Sequence, residues 1–96
     1  MTMIDAASRP RLARGVRLRL DRITGKTLLL RPEQGFELQG SALEIVRLCT
    51  AELTVSEIVD RLAARHDGVA REQIAADVNR LLADLARRGL VTGELA

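Results

Sequence analysis

The sequence has neither tryptophan nor tyrosine, and its only aromatic side chain is Phe36. Proteins that stack RNA bases on exposed rings need several aromatic residues, so this class is disfavoured. No apolar run approaches the roughly 20 residues that a membrane-spanning helix needs. Residues 1–15 also lack the apolar segment of a signal peptide. We therefore expect a cytoplasmic protein that does not associate with membranes.

Cysteine and histidine are equally scarce, with one of each, Cys49 and His66. One cysteine cannot form an internal disulfide, and together with one histidine it cannot supply the four ligands of a structural zinc site. No glycine-rich loop is placed between a strand and a helix, where it could bind a phosphate. We expect no enzyme activity, no metal and no cofactor. Cys49 falls within a helical apolar pattern as a buried thiol, and His66 lies at a helix end.

Aliphatic residues are abundant, and the charges are unevenly distributed. The 96 residues are 47 % hydrophobic, which is enough for the core of one small domain. Residues 1–31 contain seven Arg and one Lys against two Asp, a net charge of +6. Residues 32–96 contain seven Arg against eleven acidic residues, a net charge of −4. The basic first third is either a surface for an acidic partner or nucleic acid, or a solvated face.

Three short strands are predicted in the first half of the chain. The stretch "VRLRLD", residues 16–21, alternates apolar and charged residues, as a strand with one solvated face does. Gly25 then allows a hairpin connection to the second strand, "TLLLRPE", residues 27–33. Gly35 is predicted to form a tight turn into a third strand, "FELQ", at residues 36–39.

Residues 40–89 are predicted to form three helices. A third helix is expected over residues 72–88, with Gly89 as its C-terminal cap. In a capping box, a Ser or Thr side chain and a Glu side chain three residues later each accept a hydrogen bond from a backbone N–H. Two such boxes mark the starts of the first two helices: Ser41 with Glu44, and Thr54 with Glu57.

These elements predict an α+β fold, with a short three-stranded antiparallel sheet followed by three helices. Residues 1–14 show no periodicity and contain Pro10. We therefore predict a flexible N-terminal arm at residues 1–14 and a single domain over residues 15–92.

The third predicted helix has a wider apolar face than one contact requires. At 100° per residue, a core seam is predicted for Ile74, Val78, Leu81 and Leu85. Beside this seam lies a second, mostly small-residue group that would form a trough: Ala75, Asn79, Leu82 and Ala86. The trough either receives another element of the same domain or remains open to a ligand.

If the trough is open and lies beside the third strand, the two together could form a binding site. A three-stranded sheet has two edges with unpaired backbone groups, and "FELQ" carries only one charge to protect such an edge. An extended peptide could add to this edge as a fourth strand and place its side chains in the trough.

The order of several motifs resembles one known family. A "PE" turn at residues 32–33, a short strand, then "SALEIVRLC" and "TVSEIVDRL", and finally "VNRLLADLARRGLV" resemble the pyrroloquinoline quinone biosynthesis protein D (PqqD) family. The similarity covers about residues 10–92. Within it, Gln39 replaces the Asn that is usual in the family, and Glu52-Leu53 replaces the common Asp-Gly.

The resemblance implies a winged-helix-like RiPP recognition element. Such a domain acts as a peptide chaperone, which binds the precursor peptide of pyrroloquinoline quinone biosynthesis and presents it to a radical SAM enzyme. The peptide would pair with the third strand and lie against the third helix. Carried over to this sequence, the peptide-binding residues are Phe36, Glu37, Leu38, Gln39, Ala75, Asn79, Leu82 and Ala86.

Two other functions fit the same order of elements. A winged-helix DNA-binding protein is compatible with the basic pI, but the last helix mixes arginines with Asp77 and Asp84 and offers no basic stripe. A structural dimer module would use the same strand edge and trough for self-pairing, by domain swapping for example. We expect a monomer or a weak or domain-swapped dimer that does not bind nucleic acid.

Overall fold

A computed structural model of the chain describes residues 5–95. Four strands precede three helices, and a fifth strand follows them. The elements are β1 (Ser8–Leu12), β2 (Arg17–Leu20), β3 (Thr27–Arg31), β4 (Gln34–Leu38), α1 (Ser41–Arg47), α2 (Val55–Arg65), α3 (Arg71–Arg87) and β5 (Val91–Leu95). The predicted α+β class, a three-stranded antiparallel sheet followed by three helices, is confirmed.

The three-stranded sheet has the order β2-β3-β4, with antiparallel neighbours. Opposite residues of antiparallel strands point to the same face, so one row across the sheet consists of Leu18, Leu29 and Phe36. Leu29 has no exposed surface, which identifies this row as the inner face. The hairpin between β2 and β3 includes Gly25 with a positive φ of 76°, as its predicted turn role requires.

The turn between β3 and β4 differs from the prediction. It consists of Pro32 and Glu33, and Glu33 has a positive φ of 64°. Proline followed by a residue with positive φ is typical of a type II turn, and a non-glycine residue in this region costs about 1 kcal/mol. Gly35, predicted as the turn residue, instead lies inside β4, where an added Cβ would approach the Leu30 side chain to 3.1 Å. The third predicted strand therefore begins two residues earlier.

A second sheet pairs β1 with β5, from Ser8 opposite Leu95 to Leu12 opposite Val91. The prediction of a flexible arm over residues 1–14 is therefore wrong for residues 8–12, whereas residues 1–4 lie outside the described part of the chain. Ser8 and Pro10 point inward and are fully buried. The carbonyl of Pro10 accepts a hydrogen bond from the N–H of Ala51, so the strand is fixed on both sides.

The helices enclose one core between the two sheets. Its fully buried members include Leu29, Ile58, Val78, Leu82 and Leu90. The capping box of α2 is confirmed, since the Thr54 side chain accepts from the N–H of Glu57 and the Glu57 side chain accepts from the N–H of Thr54. Gly89 follows α3 with a φ of 74°, as a C-terminal cap requires.

The capping box predicted for α1 does not form. Gly40 is the N-cap residue, with a φ of 60° and a ψ of −135°, and no side chain caps the helix. The Glu44 carboxylate turns instead to His66 at the end of α2, where its Oε2 lies 3.0 Å from Nε2 of the imidazole. A contact between α1 and α2 therefore takes the place of the local cap.

No helix within residues 5–95 combines the length and the hydropathy needed to cross a lipid bilayer. Over the same residues, no three His, Cys, Asp or Glu side chains converge on a point that could bind a metal ion.

Candidate functional site

The outer edge of β4 is open. Within residues 5–95, β4 has β3 as its only strand neighbour. The two-residue turn makes Arg31 and Gln34 the closing pair, and hydrogen-bonded pairs alternate along an antiparallel ladder. Phe36 and Leu38 therefore bond to β3, whereas Gly35 and Glu37 direct their N–H and C=O groups away from the sheet. Four backbone groups are thus available along this edge.

A groove of about 550 Å³ separates α1 from α3. We call it the α1–α3 groove. The residues that α1 contributes are small or aliphatic. Those of α3 are charged except for one leucine, so apolar and charged side chains line the groove together. The lining residues are Ser41, Ala42, Ile45, Asp77, Arg80, Leu81, Asp84 and Arg87.

Each wall of the α1–α3 groove is connected to β4, one through the chain and the other through side-chain contacts. Ser41, on the α1 wall, is only three residues beyond the end of β4. On the α3 wall, Asp84 Oδ2 accepts a hydrogen bond of 3.2 Å from Nε of Arg88. The guanidinium of Arg88 lies 5.8 Å from the centroid of the Phe36 ring, within the range of a cation–π contact. The only aromatic ring therefore lies where the sheet meets the end of α3.

Arg31 joins the β3–β4 hairpin to α3. Its Nη1 donates a 2.6 Å hydrogen bond to the carbonyl of Arg88, and its Nε donates a 2.7 Å bond to the side chain of Gln34. A guanidinium at the C-terminal end of a helix also interacts favourably with the helix dipole. Arg31 thus holds the turn end of β4 against α3.

The four predicted residues around β4 lie at this edge. Phe36, Glu37 and Leu38 belong to β4, and Gln39 follows it in an exposed position. Phe36 is half-buried against the core and Leu38 is buried, so these two point toward the helices. Glu37 is exposed on the opposite face and lies 3.5 Å from the ammonium of Lys26.

The four predicted residues of α3 do not line the α1–α3 groove. Leu82 has no exposed surface and belongs to the core. Ala75 and Asn79 line a separate depression of about 310 Å³, formed with α2 and residues 5–6 on the other flank of α3. Ala86 is half-buried and lies on the same flank, since 100° per residue places it between Ala75 and Asn79.

The sequence predicts Leu81 in the core and Leu82 in the trough, whereas the structure places Leu82 in the core and Leu81 at the α1–α3 groove. The buried stripe of α3 consists of Ile74, Val78, Leu82 and Leu85. Leu81 is half-buried and faces α1, flanked by carboxylates of the residues four before and three after it. Apart from the two flanking aspartates, the sequence has no signal that distinguishes this face of α3 from its core seam.

The arginines of α3 and of its C-cap are paired with carboxylates. Their partners lie at 2.6–3.6 Å in four salt bridges: Arg71–Asp60, Arg80–Asp77, Arg87–Asp84 and Arg88–Asp84. A helix that reads DNA must direct unpaired cationic side chains toward phosphates. The surface of α3 is thus locally neutralised, and the structure disfavours a DNA-reading role for it.

The sole thiol is buried away from the groove. Burial raises the pKa of Cys49 to about 12, and its Sγ lies 3.3 Å from the Ile45 carbonyl. A thiol with such a high pKa is a poor nucleophile at neutral pH. Cys49 therefore packs in the core, as its place in the helical pattern predicts.

Comparisons with known proteins agree with this architecture. Residues 26–91 match the family described as coenzyme PQQ synthesis protein D (PqqD). The PqqA binding protein of Rhodopseudomonas palustris strain BisB5 is 37 % identical over 89 residues, which cover 93 % of this chain and 86 % of that protein. The bifunctional coenzyme PQQ synthesis protein C/D of Methylorubrum extorquens is 38 % identical over 87 residues, 91 % of this chain but 23 % of that protein.

Two solved structures are also similar. The solution structure of the PqqD part of Methylobacterium extorquens PqqCD, described as a functional and stand-alone RiPP recognition element, has a TM-score of 0.76 and 37 % identity. The match covers 94 % of this chain and 95 % of that one. The crystal structure of PqqD from Xanthomonas campestris has a TM-score of 0.54 and 34 % identity, with 92 % and 98 % covered.

Proposed function

The chain belongs to the coenzyme PQQ synthesis protein D family, and from this premise we propose that it binds a ribosomally made precursor peptide. The peptide adds as a strand to the open edge of β4, and the protein presents it to a radical SAM enzyme that modifies it. Because the precursor is a product of cytosolic ribosomes, this step takes place in the cytoplasm. The protein acts as a peptide chaperone and leaves the chemistry to the enzyme.

One observation carries the proposal: β4 has an open edge, and the α1–α3 groove begins at Ser41, three residues beyond the end of β4. An extended peptide paired with Gly35 and Glu37 satisfies its own backbone groups and those of β4 at once. Alternate side chains of that peptide then point to the inner side of the sheet, toward Leu81 and Ala42. Relatives named for binding PqqA support the choice of a peptide as the ligand.

The energies are consistent with a moderate affinity. Each added backbone hydrogen bond contributes roughly 0.5–1.5 kcal/mol and each buried apolar anchor roughly 1.5–3 kcal/mol. Ordering a disordered peptide costs about 2–5 kcal/mol or more. Micromolar affinity corresponds to about −8 kcal/mol, so several bonds and at least two anchors are required. A short recognition segment of five or more residues meets this requirement.

The α1–α3 groove also restricts the chemistry of the peptide. Its floor accepts aliphatic side chains, and its rim offers the carboxylates of Asp77 and Asp84 beside the guanidiniums of Arg80 and Arg87. Because each of these charges already has a partner of opposite sign, a ligand charge must displace an existing salt bridge. We expect apolar side chains of the peptide to supply most of the affinity, and its charges to set the register.

The proposal is tested by titrating ¹⁵N-labelled protein with the precursor peptide while amide signals are recorded. We expect the largest changes at residues 34–39, at residues 41–45 and along the Leu81 face of α3. A peptide of the same composition but scrambled order is the matched control and should leave the spectrum unchanged. Changes confined to the depression around Ala75 and Asn79 would contradict the proposed site. Equal responses to both peptides would contradict sequence-specific binding.

A further inference from the structure

The face of the sheet opposite the helices carries exposed apolar residues that the peptide site does not use. Leu28 and Leu30 point away from the core, since their neighbour Leu29 points into it. Ile23, at the tip of the β2–β3 hairpin, is 96 % exposed. Leu20 points to the other face, as Leu18 does, but it lies at the end of β2 and is 57 % exposed. These four residues line a shallow depression of about 910 Å³.

The hairpin holds Ile23 in a fixed position. The N–H of Asp21 donates to the carbonyl of Lys26 at 2.8 Å, and the N–H of Gly25 donates to the carbonyl of Asp21 at 2.7 Å. The Asp21 side chain accepts a 3.0 Å bond from the N–H of Ile23 itself. An apolar side chain on a hydrogen-bonded turn loses little conformational freedom on binding, which favours its use as an anchor.

Positive charge surrounds these apolar side chains. Arg17, Arg19 and Arg22 are exposed, and within residues 5–95 none of their guanidinium groups forms a hydrogen bond or a salt bridge. Asp21 is the one acidic residue that lines the depression. The arginines of α3, by contrast, are paired with carboxylates. We define the hairpin face by these residues: Arg17, Arg19, Arg22, Ile23, Leu28 and Leu30.

We propose that the hairpin face docks an acidic protein surface on the peptide-modifying enzyme, a partner whose identity rests on the proposed function. Ile23 enters an apolar recess of the enzyme beside Leu28 and Leu30, and the three arginines meet carboxylates around it. Pairing of two copies through β2 would bring Arg17 and Arg19 of both chains together, which like-charge repulsion opposes. The charge of this face therefore selects a partner that differs from the chain itself.

The arginines Arg17 and Arg19 of the hairpin face belong to β2, and the proposed peptide site is at β4; these are the two edge strands of one sheet. β2 and β4 are separated only by β3, and neighbouring strands are about 4.8 Å apart. An enzyme docked at β2 thus leaves the β4 edge free, while the bound peptide remains roughly 10–15 Å away. Simultaneous occupation of both sites is what presentation of the peptide requires.

Two variants and a charge-matched control test the inference, with the radical SAM enzyme and the precursor peptide as separate probes in calorimetric titrations. Ile23→Glu and the double variant Arg17→Glu/Arg19→Glu should each raise the Kd for the enzyme at least about tenfold. Arg61→Glu/Arg65→Glu, with the same change in charge on exposed positions of α2, should change it less than about twofold. The Kd for the peptide should stay within about twofold in all variants.

Each alternative result is distinguishable. An unchanged enzyme Kd in both test variants would overturn the inference and leave peptide binding intact. A parallel loss of peptide and enzyme binding would assign the hairpin face to the peptide site and overturn the inference as well. A dimer that sedimentation detects in the wild type but not in Ile23→Glu would identify a second copy as the occupant. Duplex DNA binding that Arg17→Glu/Arg19→Glu abolishes would identify nucleic acid. Circular dichroism checks that all variants are folded.

Discussion

Leu81 and Leu82 are adjacent on α3 and have different environments. Leu82 has no exposed surface and packs in the core, whereas Leu81 is half-buried and faces α1 across the α1–α3 groove. Two consecutive leucines of one helix therefore belong to different surroundings, Leu82 to the core and Leu81 to the groove.

Substitution of these two leucines should have opposite consequences. Leu81→Lys removes an apolar side chain from the groove but places an ammonium near Asp77 and Asp84, so the helix stays stable. We expect peptide affinity to fall at least about tenfold, with a change in unfolding free energy below about 1 kcal/mol. Leu82→Ala should destabilise the fold by about 2–5 kcal/mol. Urea unfolding and peptide titration measure the two effects, and a stability loss in Leu81→Lys as large as that in Leu82→Ala would contradict this assignment.

Strand addition is tested at Glu37, whose N–H points to the open edge. Glu37→Pro removes this donor without breaking a bond to β3, because proline is tolerated where the N–H of an edge strand faces outward. We expect at least about tenfold weaker peptide binding. Glu37→Ala keeps the donor and should bind within about threefold of the wild type, although it loses the contact with Lys26.

A second measurement keeps this prediction testable if Glu37→Pro folds poorly. Methylating alternate backbone nitrogens of the peptide should abolish binding for one set of positions only, since alternate residues of an added strand face the partner edge. Equal binding by both methylated peptides would rule out pairing with β4.

Thr54 and Ser41 form a natural pair for testing helix caps. Thr54→Ala removes the hydrogen bond from the N–H of Glu57 and should destabilise the protein by about 1 kcal/mol. Ser41→Ala should cost no more than a few tenths of a kcal/mol, because Gly40 is the N-cap residue of α1 and no side chain caps that helix. Urea midpoints of both variants measure the difference, and equal losses would show that Ser41 caps α1 in solution.

Acid should weaken the β2–β3 turn and the capping box of α2, because each contains a carboxylate that accepts a backbone hydrogen bond. The N–H of Ile23 lowers the pKa of Asp21, and the N–H of Thr54 lowers the pKa of Glu57. A lowered folded-state pKa means that the unfolded chain binds protons first. The stabilisation is therefore complete above the unfolded-state pKa values and is lost as pH falls through the folded ones. We expect stability to fall as the pH drops below about 5.

Substitution of these carboxylates should flatten the acid dependence. Asp21→Asn and Glu57→Gln should each reduce the slope of the urea midpoint against pH in this range. Asp67→Asn is the control, because the Asp67 side chain makes no hydrogen bond or salt bridge within residues 5–95. A slope that all three variants share with the wild type would place the acid sensitivity elsewhere in the chain.

Local patterns predicted those parts of the fold that depend on neighbouring residues. The alternation over residues 16–21 gave β2, the spacing of Thr54 and Glu57 gave the start of α2, and Gly89 gave the end of α3. Each signal acts within a few residues, through a backbone conformation or a cap. The same reasoning failed where a distant partner competed, since the carboxylate of Glu44 binds His66 rather than capping α1.

Long-range pairing was beyond such patterns. Ser8 and Leu95 are opposite in the β1–β5 ladder, and nothing local to Pro10 indicates a strand whose partner lies more than 80 residues away. The helical period of α3 likewise predicted the width of its apolar face, but not which flank of that face lies toward α1. The orientation of α3 is set by how it packs on α1 and the sheet. The predicted residues of the third strand therefore lie at the β4 edge, whereas the predicted residues of α3 lie in the core or on its other flank.

The β1–β5 ladder has a consequence for covalent assembly. Because Ser8 is opposite Leu95, a polypeptide extending from either side of this ladder departs from the same corner of the molecule. A linker to an enzyme domain could therefore be attached before β1 or after β5 with nearly the same reach. Fusion to either end would therefore place the second domain at about the same distance from this one. The bifunctional Methylorubrum relative, most of whose length lies outside the matched region, is an example of a fused arrangement.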